Sequence, residues 1–294
     1  MFLVRLFYNY HKVYDKTMLD IYVFFRILFY VVLGFCVGSF LNVIIYRLPI
    51  MLSSAVSKKM IGDSHIGCHK FRRRFDLCFP NSFCPHCYCP IPLKYNIPLF
   101  GWLFLRGTSQ CCHRKINPRY VIIEIITALL TLAVSYFSSD DYVMIASLVL
   151  IWGLIALTFI DLDCYLLPDN ITLPLLWIGL LININDTFSP LSFSVVGAAA
   201  GYIFLWFPYF LFKVFKGIDG MGYGDFKLMA ALGAWFGVAA IPFLILLSSC
   251  LGIISYIFIY YFSNNKLKHI AFGPYIALSG GIYLFFGDQI TFLF

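Results

Sequence analysis

Residues 228–262 read LMAALGAWFGVAAIPFLILLSSCLGIISYIFIYYF, 35 consecutive positions without a charge. As one straight helix this run would be roughly 52 Å long at about 1.5 Å per residue. A hydrocarbon core is only about 30 Å thick, so the stretch predicts two helices, a short one and a full one, divided near Gly237–Pro242. Other uncharged runs lie on either side. Leu28–Tyr46 and Tyr142–Ile160 are two of them, and Val121–Phe137 is interrupted only by Glu124. Ile171–Ile184 is short with polar residues at both ends, Phe188–Phe212 is a comfortable span, and Ile270–Phe294 is the last run. About 20 apolar residues suffice for a crossing helix. A β-barrel would need alternating segments of about ten residues, and these runs do not alternate. The expected fold is an all-α polytopic membrane protein with about eight transmembrane helices.

Composition excludes the alternatives. Hydrophobic residues make up 61% of the 294 and charged residues 12%, against roughly 45–50% and about 25% in soluble globular chains. That apolar content rules out disorder. Ten cysteines could indicate a secreted disulfide scaffold, but such scaffolds are small, and Cys36 and Cys250 sit inside apolar runs.

Basic residues set the orientation, because they concentrate in cytoplasmic loops. Between Arg47 and Tyr120 twelve Lys/Arg face only Asp63 and Asp76, a net +10. This segment is therefore cytoplasmic. Crossing back and forth puts 161–169, 213–225 and 263–269 on the same side, with Lys213, Lys216, Lys227, Lys266 and Lys268 in or beside them. The opposite loops, 138–141 and 183–189, carry no Lys or Arg. Only the N-terminal tail breaks the pattern, with Arg5, Lys12, Lys16 and Arg26 on the expected outer side. It lacks the apolar core and cleavage site of a signal peptide. The expected organisation is a tail (1–26), a first membrane helix (27–46), a basic Cys-rich cytoplasmic segment (47–120) and a seven-helix membrane catalytic domain (121–294).

Few chemistries remain open to such a chain. Glu124 is its one glutamate and has no histidine beside it, so an H-E-x-x-H zinc helix is absent, as are the G-x-S-x-G elbow and the G-x-x-x-x-G-K-[ST] loop. Gly220-Met-Gly222-Tyr-Gly224 looks like a nucleotide loop but lies between membrane helices rather than after a strand. Aspartate is left. Asp161 ends the Tyr142–Ile160 span and Asp225 precedes the next charge-free run, 64 positions on but at the same membrane face. Two carboxylates close together cannot both ionise and share a proton. Such a pair supplies a base for water and an acid for a leaving amine, which is peptide hydrolysis. The alternative is a pair of ordinary juxtamembrane loop aspartates. Gly217, Gly220, Gly222 and Gly224 let the backbone approach a substrate strand closely. Asp163 is two residues from Asp161 and faces elsewhere on a helix, and Asp169 suits an N-cap. Asp219 fits a solvated loop, and Glu124 fits a pairing with Arg119.

Five motifs together resemble the type IV prepilin peptidases, membrane aspartic proteases of pilus and type II secretion systems. They are GSFLNVIIYRLP (38–49), CPHC (84–87), NPRY (117–120), FID (159–161) with LPD (167–169), and GYGDFKL (222–228). The resemblance runs from about Gly34 to the C-terminus. It implies that Asp161 and Asp225 are the catalytic pair and that Gly222 and Gly224 belong to a substrate loop. It also implies a bacterial inner-membrane enzyme whose active site faces the cytoplasm. Its substrates would be prepilins or pseudopilins, losing a short basic leader. Many members then methylate the new N-terminus with S-adenosylmethionine.

The family's long loop usually carries two C-x-x-C pairs, four thiolates for a structural zinc. The resemblance thus implies a small zinc-ribbon-like insert after the first helix. Cys84 and Cys87 match the first pair and Cys112 the last ligand, but Ser109 stands at the third. Cys111, Cys89, His86 and His113 are all available as the fourth donor, although adjacent Cys111 and Cys112 are an awkward pair. Cys68 and Cys78 fit no metal spacing. Ser39 and Asn42 share a helix face and suit interhelical packing. The basic run Lys70–Arg74 reads as attraction to anionic membrane lipid rather than to nucleic acid. Two rivals stand beside the peptidase. A presenilin-type protease also uses G-x-G-D, but Asp161 lacks a preceding Tyr, and Ile276-Ala277-Leu278 is the nearest approach to Pro-Ala-Leu. A non-catalytic assembly or transport component with a zinc knuckle would tolerate Asn at Asp161 and Asp225.

Overall fold

The long apolar run breaks at glycine. In the computed structural model, which describes residues 2–60, 75–138, 140–217, 221–262 and 270–291, Gly237 adopts φ 79° and its N–H closes the preceding helix onto Gly233 O at 2.9 Å. A single 3₁₀ turn, Val238–Ala240, then leads into the full helix. Pro242 falls in that helix's first turn, where a missing N–H costs nothing. Cys68, Lys70, Arg72–Arg74, Asp219, Gly220, Lys266 and Lys268 lie outside the described residues.

In chain order the α-helices are α1 (Phe2–Met60), α2 (Phe100–Phe104), α3 (Arg119–Phe137), α4 (Asp141–Cys164), α5 (Asp169–Ile182), α6 (Leu191–Lys216), α7 (Tyr223–Phe236), α8 (Ile241–Phe262) and α9 (Gly273–Thr291). The described residues contain no strand, only two isolated antiparallel bridges. Each apolar run of the sequence contains helix among the described residues. Among the described residues five segments are long and apolar enough to cross a membrane: 23–53, 119–137, 141–164, 191–216 and 238–262. α5 and α7 have 14 residues each, about 21 Å. α1 differs from expectation at both ends, since it runs helical through the tail and on past Tyr46.

The chain divides into two compact units, residues 1–40 with 82–136, and residues 41–81 with 137–294. In the first, α1 packs on α3 through glycine. A Cβ on Gly34 would lie 2.5 Å from Ala128 Cα, and one on Gly38 would lie 2.7 Å from Glu124 Cα. This is the close small-residue contact that holds helices together in lipid. Arg26, just before the Leu28–Tyr46 run, donates to Ser135 O at 2.9 Å.

In the second unit α7 is the central helix. Asp225, Phe226 and residues 228–236 are all buried, and α5, α6 and α9 pack around it. α6 and α7 touch backbone to backbone. A Cβ on Gly197 would meet Gly233 O at 2.5 Å, and one on Gly201 would meet Met229 O at 2.8 Å. The C-terminal end of α7 is fixed by a buried amide. Asn183 Nδ2 donates to Ala234 O at 3.0 Å, Trp235 O at 2.8 Å and Ser194 Oγ at 2.9 Å, and Trp235 Nε1 donates to Leu175 O at 2.8 Å. Carbonyls at a helix end have no partner within the helix, so Asn183 supplies one. This anchoring sets where the opposite end of α7, with Asp225, is held.

Candidate active site

α4 carries one of the two candidate aspartates close to its C-terminal end. Asp161 lies in its last turn, and Tyr165 stops the helix in the left-handed region (φ 51°), donating its N–H to Asp161 O at 2.9 Å. The Asp161 side chain turns inward, with the residue 5% exposed. Its Oδ2 accepts the N–H of Gly273 at 3.0 Å. Gly273 is the first residue of α9, and a helix N-terminus favours a negative charge. A Cβ at 273 would stand 2.7 Å from that oxygen and 3.1 Å from both methyls of Leu167.

Asp225 sits in the first turn of α7 and is 7% exposed, with its N–H on Gly222 O at 3.2 Å. Gly222 is the N-cap, and a Cβ there would lie 3.6 Å from Asp225 Oδ2, an ordinary contact. Gly224 is more constrained, because its Cβ would lie 2.6 Å from Leu167 Cβ. Leu167 is thus seated between Gly224, beside Asp225, and Gly273, bonded to Asp161. Through Leu167 the two carboxylates are brought to one end of the unit. Tyr223 closes the flank of this turn, accepting the Tyr209 hydroxyl at 3.0 Å.

The other acidic residues fall elsewhere. Asp163 is exposed. Asp169 is corrected from N-cap to first helical residue, because Pro168 holds the cap. Its Oδ1 meets Lys227 Nζ at 2.6 Å and joins the start of α5 to that of α7. Glu124 is buried and accepts Leu99 N–H at 2.7 Å, with Ser39 as a further partner. Gly273 and Leu167 were not singled out by sequence reasoning as site residues. The Gly273-Pro274 pair marks a helix start in the sequence, but nothing there names the partner of its N–H.

The first unit holds a cluster of four thiols. The Sγ atoms of Cys84, Cys87, Cys111 and Cys112 all lie within 4.8 Å of one another, including Cys84–Cys112 at 3.8 Å and Cys87–Cys111 at 3.1 Å. Zn–S bonds of about 2.3 Å place tetrahedral sulfurs about 3.8 Å apart, so the four donors fit a zinc ion. This group contains neither Cys89 nor His86 nor His113, and adjacent Cys111 and Cys112 both contribute. Burial pushes the Cys84 thiol up, but hydrogen bonds from the Cys87 and His86 backbone, from Ser109 and from Cys111 outweigh it and bring the thiol to about 6. At Cys111 the Ser109 hydroxyl pulls down, while Cys87, burial and Cys84 push the thiol up to about 11. Four protein ligands with no open position describe a structural metal site rather than a catalytic one.

A helical membrane protein with a buried aspartate pair under a Gly-x-Gly-Asp turn has known relatives. Residues 32–137 match the bacterial Peptidase A24 N-terminal domain, and residues 148–257 match the type IV leader peptidase family. The chain belongs to that family. A protein of Aeromonas hydrophila named prepilin leader peptidase/N-methyltransferase is 48% identical over 259 residues, 87% of this chain and 89% of that protein. Proteins of the same name from Pectobacterium carotovorum subsp. carotovorum and Neisseria gonorrhoeae are 45% and 42% identical. They cover 85% and 88% of this chain, and 89% and 90% of their own lengths are matched. No solved structure matches the chain.

Proposed function

We propose that this chain is a membrane aspartic endopeptidase that removes the basic leader of prepilins or pseudopilins, then methylates the new N-terminus with S-adenosylmethionine. The observation that carries the proposal is the buried pairing of Asp161 and Asp225 at one end of α4 and α7, in a chain of the type IV leader peptidase family. One carboxylate takes a proton from water as it attacks the scissile carbonyl, and the other gives a proton to the leaving amine. Gly273 N–H holds the Asp161 oxygen in place. Gly222 and Gly224 belong to the loop that lets substrate backbone approach. The methylation step needs a deprotonated, aligned amine and no proton-sharing pair.

The same reading gives the membrane arrangement. The helices α1 and α3–α9 make up eight spans in a bacterial inner membrane, of which α5 and α7 are short. Residues 47–120 are a cytoplasmic zinc-ribbon-like insert, and 121–294 are the catalytic domain. The basic run near residue 72 rests on anionic lipid and binds no nucleic acid. Zinc held by Cys84, Cys87, Cys111 and Cys112 supplies cross-linking of two turns, not chemistry.

The test is incubation of the purified, membrane-reconstituted chain with a full-length prepilin, with the product weighed by mass spectrometry. Loss of the leader alone is expected without S-adenosylmethionine, and loss of the leader plus gain of one methyl group with it. An unshortened prepilin would reject the protease reading, and a shortened but never methylated one would reject the transferase.

A further inference from the structure

The two turns of the thiol cluster are copies of each other in backbone hydrogen bonding. Phe83 bridges Pro90 across the first, and Thr108 bridges Lys115 across the second. Cys84 N donates to Cys89 O at 2.9 Å and Tyr88 N to Cys84 O at 2.8 Å. In the second turn Ser109 N donates to Arg114 O at 2.8 Å and His113 N to Ser109 O at 2.9 Å. Tyr88 and His113 both take positive φ, 60° and 52°. This register sets Ser109 opposite Cys84, Cys112 opposite Cys87, and Cys111 opposite His86.

A neutral hydroxyl is not among zinc's usual protein ligands, so the second turn lacks a donor at its first position. The structure shows what replaces it. His86 Nδ1 in the first turn lies 3.5 Å from Arg114 Nη1, outside the group of four. Cys111, in the equivalent place of the second turn, instead turns its Sγ into that group. Ser109 is nevertheless buried in the cage, its Oγ 3.0 Å from Cys111 Sγ and 3.6 Å from both Cys84 Sγ and Cys112 Sγ.

We infer that the fourth ligand has migrated by two residues, from position 109 to Cys111, and that the Ser109 hydroxyl stays as a hydrogen-bond donor to the metal-bound sulfurs. This inference rests on the zinc reading of the cluster. A hydroxyl offers one proton, and the shortest contact gives it to Cys111, the most displaced ligand. Groups that hold metal ligands in this way typically matter 10- to 100-fold in affinity.

The experiment uses the full chain in lipid nanodiscs with cobalt(II) as the probe, because thiolate-to-cobalt absorption grows with each thiolate bound. The parent should show the four-thiolate spectrum. Cys111→Ser should lose about a quarter of the thiolate absorption per cobalt, and Ser109→Cys added to Cys111→Ser should restore it. Ser109→Ala should keep the four-thiolate spectrum while binding about 10- to 100-fold more weakly. Undiminished absorption in Cys111→Ser, or no restoration in the double variant, would overturn the migration while leaving the zinc reading intact. A parent that binds no cobalt would overturn both. Should Cys111→Ser not fold, the parent itself decides through alkylation and peptide mapping. Bound zinc should protect Cys111 while exposed Cys89 is labelled, and labelling of Cys111 with Cys84, Cys87 and Cys112 protected would refute the assignment.

Discussion

Replacing Gly273 with alanine tests the site without touching either carboxylate. The new Cβ would stand 2.7 Å from Asp161 Oδ2, where an ordinary contact begins near 3.4 Å, so the oxygen must retreat by about 0.7 Å. Leu167 methyls at 3.1 Å leave the Cβ no room to move sideways. The 3.0 Å bond from Gly273 N–H would then stretch to about 3.7 Å, beyond hydrogen-bonding range. A bond to a charged acceptor contributes about 1.5–3 kcal/mol, which is about 10- to 150-fold in rate at about 1.4 kcal/mol per tenfold. Misplacing a reacting group by about 1 Å costs about 100-fold by a separate route, so the two agree. The assay is the initial rate of prepilin shortening at saturating substrate by the reconstituted protein, with helix content checked by circular dichroism. Gly281→Ala on the same helix is the control, because its Cβ meets only Ile151 Cδ1 at 3.9 Å. A Gly273→Ala protein cleaving within twofold of the parent would refute the role given to this N–H.

Further outcomes follow from the packing and the chemistry. Gly233→Ala should drive α7 off Gly197 O and cost about 1–3 kcal/mol, read as a lowered unfolding midpoint with activity falling alongside. Lys227→Met removes the exposed pair with Asp169 and should change stability by less than about 1 kcal/mol, less still in high salt; a larger loss in a denaturant titration would contradict the minor role of this pair. Asp225→Asn, given a pilin already cleaved, should still incorporate labelled methyl from S-adenosylmethionine. Cys84→Ser with Cys87→Ser should impair that incorporation at least as much as cleavage, and loss of transfer in Asp225→Asn alone would mean that the two sites overlap.

Much of this was legible in the sequence because membrane helices are written locally. The break at Gly237–Pro242 needed only a length and a helix breaker, and it appears as a positive-φ glycine with a 3₁₀ turn. Loop charges and a count of crossings put Asp161 and Asp225 at one membrane face, and the family resemblance, not topology, made them a pair. What stayed hidden depends on approach between distant segments. Nothing near Gly273 in sequence says that its N–H meets Asp161, 112 positions away. The burial of residues 228–236 of α7 was equally hidden, because a charge-free stretch reads the same facing lipid or facing protein. Asp169 went to the wrong place by one residue, because proline had taken the cap. At the thiols the spacing exposed the gap at Ser109, but only the fold shows adjacent Cys111 and Cys112 both turned inward.

The account stands on the Asp161–Asp225 pair, and the most direct measurement is prepilin cleavage by the Asp161→Asn and Asp225→Asn proteins, each reconstituted and confirmed to be helical. Asparagine keeps the shape of each side chain but removes its ability to take or share a proton. Each variant should show no detectable leader removal, while Asp163→Asn, exposed and outside the pair, should cleave at close to the parent rate. Near-normal processing by either Asp161→Asn or Asp225→Asn would contradict the account.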